Sequence, residues 1–205
     1  GDPVELLLVK GSGWDLATIE SPGFAPVRLD TLKRLAELET LSDTEMVRQQ
    51  RAAMTDPGAP NPSVEAILHA LIPFRYVDHT HADAVLGVTN HPNGEKSVQE
   101  IYGNRVIVIP YVMPGFVLAK KVRELTQGKN WADYEGMILM NHGIFTFDDD
   151  ARESYEKMIR LVTEAEDYVR QKGARETSKA KVREDLVGLA AVSYTHLRAH
   201  ETRNY

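Results

Sequence analysis

Val77-Asp78-His79-Thr80-His81 holds two histidines one residue apart, and His142 follows sixty-one residues later in Met140-Asn141-His142-Gly143. In an extended strand alternate side chains share a face, so His79 and His81 can offer two imidazoles to one ion while Thr80 points away. A third imidazole has to come from a distant segment. His142 ends the apolar run Met137-Ile138-Leu139-Met140, which reads as a buried strand, and it precedes a glycine that permits a sharp turn. Three neutral imidazoles leave one position of a tetrahedral zinc open to water or substrate. The spacing points to a catalytic metal site.

Outward from these histidines the chain alternates short strands with amphipathic helices. Residues 4–9 read as a buried strand running into the tight glycine loop Lys10-Gly11-Ser12-Gly13, whose backbone amides could cradle an anion. Leu32, Leu35, Ala36 and Leu38 give a short helix after Asp30, and Ser42-x-x-Glu45 is a capping box opening a helix to about Met54. After a proline-rich break, Asn61 as cap and Pro62 at the first helical position start a helix with Val64, Ile67, Leu68 and Leu71 on its stripe; Glu65 and His69 share another face. Strands are expected at 76–80, 106–109, 137–140 and 144–147, and helices at 82–88, at 116–126 and from Asp148-Asp149-Asp150 to about Gln171. The apolar stripe of the last helix is read as Tyr155, Met158, Ile159, Val162, Ala165 and Val169. Residues 91–94 read as a loop.

A chain of 205 residues with 42% apolar content is enough for one domain with a sizeable core. Net charge is −6 with the basic residues scattered, which excludes a phosphate-backbone footprint and makes nucleic acid an unsuitable partner. No apolar stretch approaches the roughly 20 residues needed to span a bilayer, so no membrane partner is expected, and a cytoplasmic location is the expectation. The absence of cysteine removes thiolate ligands and restricts a metal to His, Asp, Glu or water. Residues 192–202, VSYTHLRAHET, resemble a translated sequencing adapter, so 192–205 is read as a non-native tail and 1–191 as the domain, cut short at both ends. His196 and His200, at helical i, i+4 spacing, lack the adjacent glutamate of zinc-protease helices and are set aside with that tail.

In chain order, Gly11-Ser12-Gly13 after a strand, Ser63-Val64-Glu65 with His69, His79-Thr80-His81, and Asn141-His142-Gly143 resemble the class II aldolase/adducin family. The resemblance covers about residues 4–172. The runs Val77 to Ala84 and Tyr111-Val112-Met113-Pro114-Gly115 are most similar to the aldolase half of the family's bifunctional rhamnulose-1-phosphate aldolase/alcohol dehydrogenases. No dinucleotide glycine fingerprint is present to indicate a retained dehydrogenase half.

That resemblance implies an α/β fold, a three-layer α/β/α domain around a central, mostly antiparallel sheet. It implies zinc-dependent retro-aldol cleavage of a ketose 1-phosphate, rhamnulose 1-phosphate favoured, to dihydroxyacetone phosphate and lactaldehyde. His79, His81 and His142 would hold Zn2+, Glu65 would act as catalytic acid/base, and Gly11, Ser12, Gly13 and Ser63 would surround the substrate phosphate. The partner is then a small phosphorylated sugar, and the protein a homo-oligomer, a tetramer by resemblance. The family's upstream Gly-Asn-Thr/Ser loop has no counterpart, so an impaired fragment is expected. Tyr102 and Tyr111 remain alternatives for an assisting acid. Rival functions are a sugar-phosphate 4-epimerase using the same site and a non-catalytic adducin-head-like scaffold. Taken alone, Glu65 and His69 would be only a helix pair worth a few tenths of a kcal/mol, and residues 11–13 only a turn.

Overall fold

The computed structural model describes residues 4–172. The chain runs β1 (Leu6–Lys10), β2 (Phe24–Arg28), α1 (Leu29–Leu35), α2 (Asp43–Ala52), α3 (Ala66–Leu71), β3 (Tyr76–Thr80), α4 (Asp83–Thr89) and α5 (Gly94–Tyr102). It continues through β4 (Val106–Ile109), α6 (Phe116–Thr126), β5 (Gly136–Leu139), β6 (Gly143–Asp148) and α7 (Ala151–Gln171). The central sheet has the order β3-β6-β5-β4. β3–β6 and β5–β6 are antiparallel, while β4–β5 is parallel, with α6 as the crossover that a parallel pair requires.

Period-two alternation explains the layers. Ile107, Ile109, Met137, Leu139, Phe145 and Phe147 point to one side, where they pack on Leu68 of α3 and Leu118 and Val122 of α6. Val106, Ile138 and Ile144 point to the other, against Val85 and Val88 of α4, Val98 and Tyr102 of α5 and Met158, Leu161 and Ala165 of α7. Both faces are covered, which is why β4 reads Val-Ile-Val-Ile with no polar break. Each large side chain buried this way contributes roughly 1.5–3 kcal/mol. The sheet is thus the middle of three layers, α/β/α, with two antiparallel junctions and one parallel.

β1 and β2 form a separate antiparallel pair, Leu8 opposite Pro26 and Val9 opposite Ala25, closing over Leu32, Met46, Ala66 and Phe116. The sequence pattern does not announce β2, because Pro26 interrupts it. The Pro26 carbonyl accepts from the Thr55 amide at 3.0 Å and the Arg28 amide donates to the Ala53 carbonyl at 3.0 Å. These groups face away from β1, so the amide that proline lacks falls on the outer edge, where no ladder bond is lost.

Four further expectations are corrected. The helix expected from Pro62 begins at Ala66. Residues 61–63 instead run alongside the glycine loop, with Gly11 bridged to Pro62, the Ser12 amide on the Asn61 carbonyl at 2.9 Å and the Ser63 amide on the Lys10 carbonyl at 3.2 Å. The Asn61 carbonyl, which as an N-cap would have accepted the first intrahelical bond, is spent on Ser12 instead. The loop read at 91–94 leads directly into α5, a helix absent from the sequence reading, with Val98, Ile101 and Tyr102 as its apolar stripe. On α7 the buried line is Ser154, Met158, Leu161 and Ala165, while Tyr155 and Ile159 are 56% and 46% exposed. Small Ser154 and Ala165 let the helix lie close to the sheet beside Met158 and Leu161, with Val162 and Val169 at the margin of the contact and Tyr155 and Ile159 outside it. Leu38, expected on α1, lies past its end and is exposed. Half of the expected capping box forms: Ser42 accepts from the Glu45 amide at 3.2 Å, while the Glu45 carboxylate accepts from Arg48 and Gln49 instead of the Ser42 amide. The tail read at 192–205, with His196 and His200, lies outside the described residues.

Candidate metal centre

His79 is the fourth residue of β3 and stacks on its cross-strand partner Phe145, ring centroids 3.9 Å apart and 14° from parallel. Asp78, one residue earlier, reaches the opposite layer, where Ser154 Oγ donates to its Oδ2 at 2.6 Å. Alternation therefore sends His79 to the α3 side. His81 follows just past the strand, and the Nε2 atoms of His79 and His81 lie 3.0 Å apart. His142 enters from the turn between β5 and β6, closed by its amide on the Leu139 carbonyl at 3.1 Å. Glu65 caps α3 and sends its carboxylate to the same point: Oε1 is 2.8 Å from His142 Nε2 and Oε2 is 3.2 Å from His79 Nε2.

One ligand atom from each of Glu65, His79, His81 and His142 falls within 4.8 Å of all the others. Glu65, His79 and His142 side chains are only 12%, 10% and 7% exposed, so their polar atoms have little water to turn to. His79 Nδ1 lies 2.9 Å from the Ile144 carbonyl, which can only accept, so Nδ1 carries the proton. In the neutral ring Nε2 is then a bare lone pair, facing a second imidazole nitrogen and a carboxylate oxygen. Such an array repels itself unless a cation or proton sits at its centre. Glu65 Oε1, 2.8 Å from His142 Nε2, and His142 Nδ1 are also buried without a satisfied hydrogen bond. The donor set, three imidazoles and one carboxylate, is that of a zinc-type ion. The carbonyl behind His79 is the outer-shell partner that fixes such a ligand's tautomer. The residues present fit a divalent metal.

Burial pushes the Glu65 carboxyl up, but the adjoining His142 and His79 more than offset this and hold it well below the usual carboxylate range. It is an ionised base at neutral pH. Burial and then the neighbouring His79 and His142 lower His81, keeping its lone pair free for a ligand. His69, packed edge-on against Phe145 at 5.2 Å, is lowered to about 4, first by burial and then by His79. It is a neutral wall of the site.

The glycine loop is differently placed. The pairing with residues 61–63 brings Gly11, Ser12 and Gly13 beside Ser63, whose Oγ accepts the Glu65 amide at 3.2 Å. The Gly11 amide is bound to the Gly23 carbonyl at 2.7 Å and the Ser12 amide to that of Asn61. The donors left for an anion are the Gly13 amide and the two serine hydroxyls, fewer than the amide cradle expected from sequence.

Gly143 also has another role than the expected turn. Asn141 carries the positive φ, 58°. A Cβ on Gly143 would lie 2.5 Å from the Thr80 carbonyl oxygen, 3.0 Å from His81 Cδ2 and 3.1 Å from His79 Cε1, so glycine is required for close approach. The sequence reading passes over Phe145 and gives Asn141 no role of its own, although an asparagine before a hairpin ligand is a signal for the left-handed region. Tyr102 is buried against α7 with its hydroxyl on the Leu161 carbonyl at 2.9 Å, a core residue and not an acid of this site. Tyr111 is exposed in the loop after β4.

The family model described as Class II Aldolase and Adducin N-terminal domain matches residues 2–169. The N-terminal class II aldolase domain of a conserved protein from Thermoplasma acidophilum superposes with a TM-score of 0.74 at 38% identity, over 81% of this chain and 76% of that one. An aldolase II superfamily protein from Pseudomonas syringae shares the fold at 16% identity, TM-score 0.60, over 99% of this chain and 80% of that one. A protein of Bacillus subtilis (strain 168) named as the uncharacterized oxidoreductase YuxG is 37% identical over 169 residues. The aligned stretch is 82% of this chain but 24% of that protein's length.

Proposed function

The chain belongs to the class II aldolase and adducin N-terminal domain family, and from that premise we propose that it is a zinc-dependent lyase acting on a ketose 1-phosphate. Rhamnulose 1-phosphate is the favoured substrate, giving dihydroxyacetone phosphate and lactaldehyde. The observation that carries this reading is the convergence of Glu65 with His79, His81 and His142 from three separate segments. The similarity to a much longer protein named as an oxidoreductase supports the rhamnulose assignment, since it suits an aldolase domain joined to a dehydrogenase.

Retro-aldol cleavage takes the proton from the C4 hydroxyl, breaks the C3–C4 bond and leaves its electron pair at C3, which is then protonated. Held by His79, His81 and His142, zinc would supply Lewis-acid stabilisation of the negative charge that develops on the substrate oxygens. Glu65, ionised and fixed by the start of α3, takes up the proton released from the C4 hydroxyl and then delivers it to C3. The Ser12 and Ser63 hydroxyls and the Gly13 amide receive the phosphate. His69 and Phe145 wall the site with neutral surface. No described helix is long and apolar enough to cross a membrane, and a cytoplasmic enzyme is the reading. Exposed Tyr111, Met113 and Val117 support a homo-oligomer.

The test is zinc content and product analysis on the full chain, beside His142→Ala and a His196→Ala/His200→Ala control. About one zinc per chain, lost in His142→Ala and retained in the control, together with aldehyde release from rhamnulose 1-phosphate, is the expected outcome. An epimeric sugar without aldehyde would replace the aldolase with a 4-epimerase. A folded wild-type chain that takes up no zinc and turns over no ketose 1-phosphate would return the scaffold reading.

A further inference from the structure

Among the described residues Asn141 alone pairs a side chain with a positive φ, and its side chain is not idle. Its Nδ2 donates to the Thr89 carbonyl at 3.3 Å and to Asn90 Oδ1 at 2.9 Å. Thr89 is the last residue of α4 and Asn90 its C-cap, held by the Asn90 amide on the Leu86 carbonyl at 2.8 Å. The other end of α4 begins two residues after His81. One amide group thus ties the turn that presents His142 to the helix that leaves from His81. The hairpin alone does not do this, because β5 and β6 fix Leu139 against Gly143 but leave the two residues before His142 outside the ladder.

We propose that Asn141 is a positioning residue for the metal centre, its amide docking the His142 turn onto the C-terminus of α4 so that the third imidazole meets the first two. The inference rests on the metal reading of the site. A glycine at 141 would take the left-handed backbone without strain, so conformation by itself does not call for asparagine. What asparagine adds is the pair of hydrogen bonds to Thr89 and Asn90. On the far side of His142, Gly143 is packed against the Thr80 carbonyl and the rings of His79 and His81. The ligand is therefore held between an anchored residue and a close-packed one, and with little slack a small rotation of the turn misplaces the imidazole.

The experiment compares the full chain with Asn141→Gly, Asn141→Ala and Asn90→Ala. Zinc affinity is read by competition with a chromophoric chelator, the ligand field by the visible spectrum of the cobalt-loaded protein, and folding by thermal unfolding without metal. Asn141→Gly keeps the metal-free melting temperature within about 2 °C and weakens zinc about tenfold or more, with a changed cobalt spectrum. Asn141→Ala loses affinity and also melts lower, since alanine resists positive φ. Asn90→Ala, which leaves the turn backbone alone, weakens zinc severalfold. Wild-type affinity and an unchanged cobalt spectrum in both Asn141→Gly and Asn90→Ala would overturn the proposal and leave Asn141 as a turn residue only. Failure of the wild-type chain to bind either ion would instead sink the metal reading beneath it.

Discussion

On one face of the β3–β6 pair Asp78, Thr146 and Ser154 satisfy one another. Ser154 Oγ donates to Asp78 and Thr146 Oγ1 to the Ser154 carbonyl at 2.9 Å, with Ser154 and Thr146 buried. On the other face, one residue along each strand, His79 and Phe145 lead to His81, His142 and Glu65, whose nitrogen and oxygen atoms meet lone pair to lone pair. Both sides gather polar side chains at the sheet, buried or partly buried except for the exposed His81. The difference is that one set closes on itself and clamps α7 to the sheet, while the other needs a cation or proton at its centre. Unmet convergence, more than the presence of buried polar groups, is what marks a site.

Substitutions on the two faces should therefore separate function from stability. The largest effect belongs to Glu65→Gln: turnover of rhamnulose 1-phosphate falls by about 10²–10⁴ while zinc remains on the three histidines, as steady-state kinetics and metal analysis would show. Activity surviving this change would remove the proton-moving role from Glu65. Ser154→Ala comes next, stripping Asp78 of its hydroxyl donor at a cost of about 1–3 kcal/mol in denaturant unfolding, with zinc affinity unaltered. If zinc affinity fell with it, the two faces would not be independent.

The smallest effect lies at the open end of the same strands, where Lys157 sits 2.6 Å from Asp148 and holds its carboxyl below the ordinary value of 3.8. A depressed carboxyl contributes stability above the unfolded value and loses it as pH falls through the folded one. Asp148→Asn should thus cost about 0.2–1 kcal/mol at neutral pH, and its unfolding curve should merge with the wild type as acid protonates Asp148. A gap that persisted in acid would assign the effect to packing.

Much of this was legible because its determinants are local. The strand Val106–Ile109 follows from a short apolar run, and the helix Phe116–Thr126 from an amphipathic stretch opening after Pro114-Gly115. The pairing of His79 with His81 is a matter of period two. Illegible elements depended on partners elsewhere: β2 tolerates Pro26 because its outer edge meets residues 53–55, and residues 61–63 are extended because the glycine loop takes their hydrogen bonds. On α7 the pattern placed Met158, Val162, Ala165 and Val169 on the packed side but drew the stripe too wide, taking in exposed Tyr155 and Ile159 and missing Ser154 and Leu161.

The sequence by itself determined the donor types and the strand end that presents two of them, His79 within β3 and His81 just past it, since side-chain chemistry and backbone period are properties of neighbours in the chain. Only the tertiary structure brought Glu65 and His142 to within 4.8 Å of that pair, spent the amides of Gly11 and Ser12 within the fold, and gave Gly143 the close contact and Asn141 the turn. Those are distances between segments up to 77 residues apart, fixed by which faces pack and which backbone groups pair.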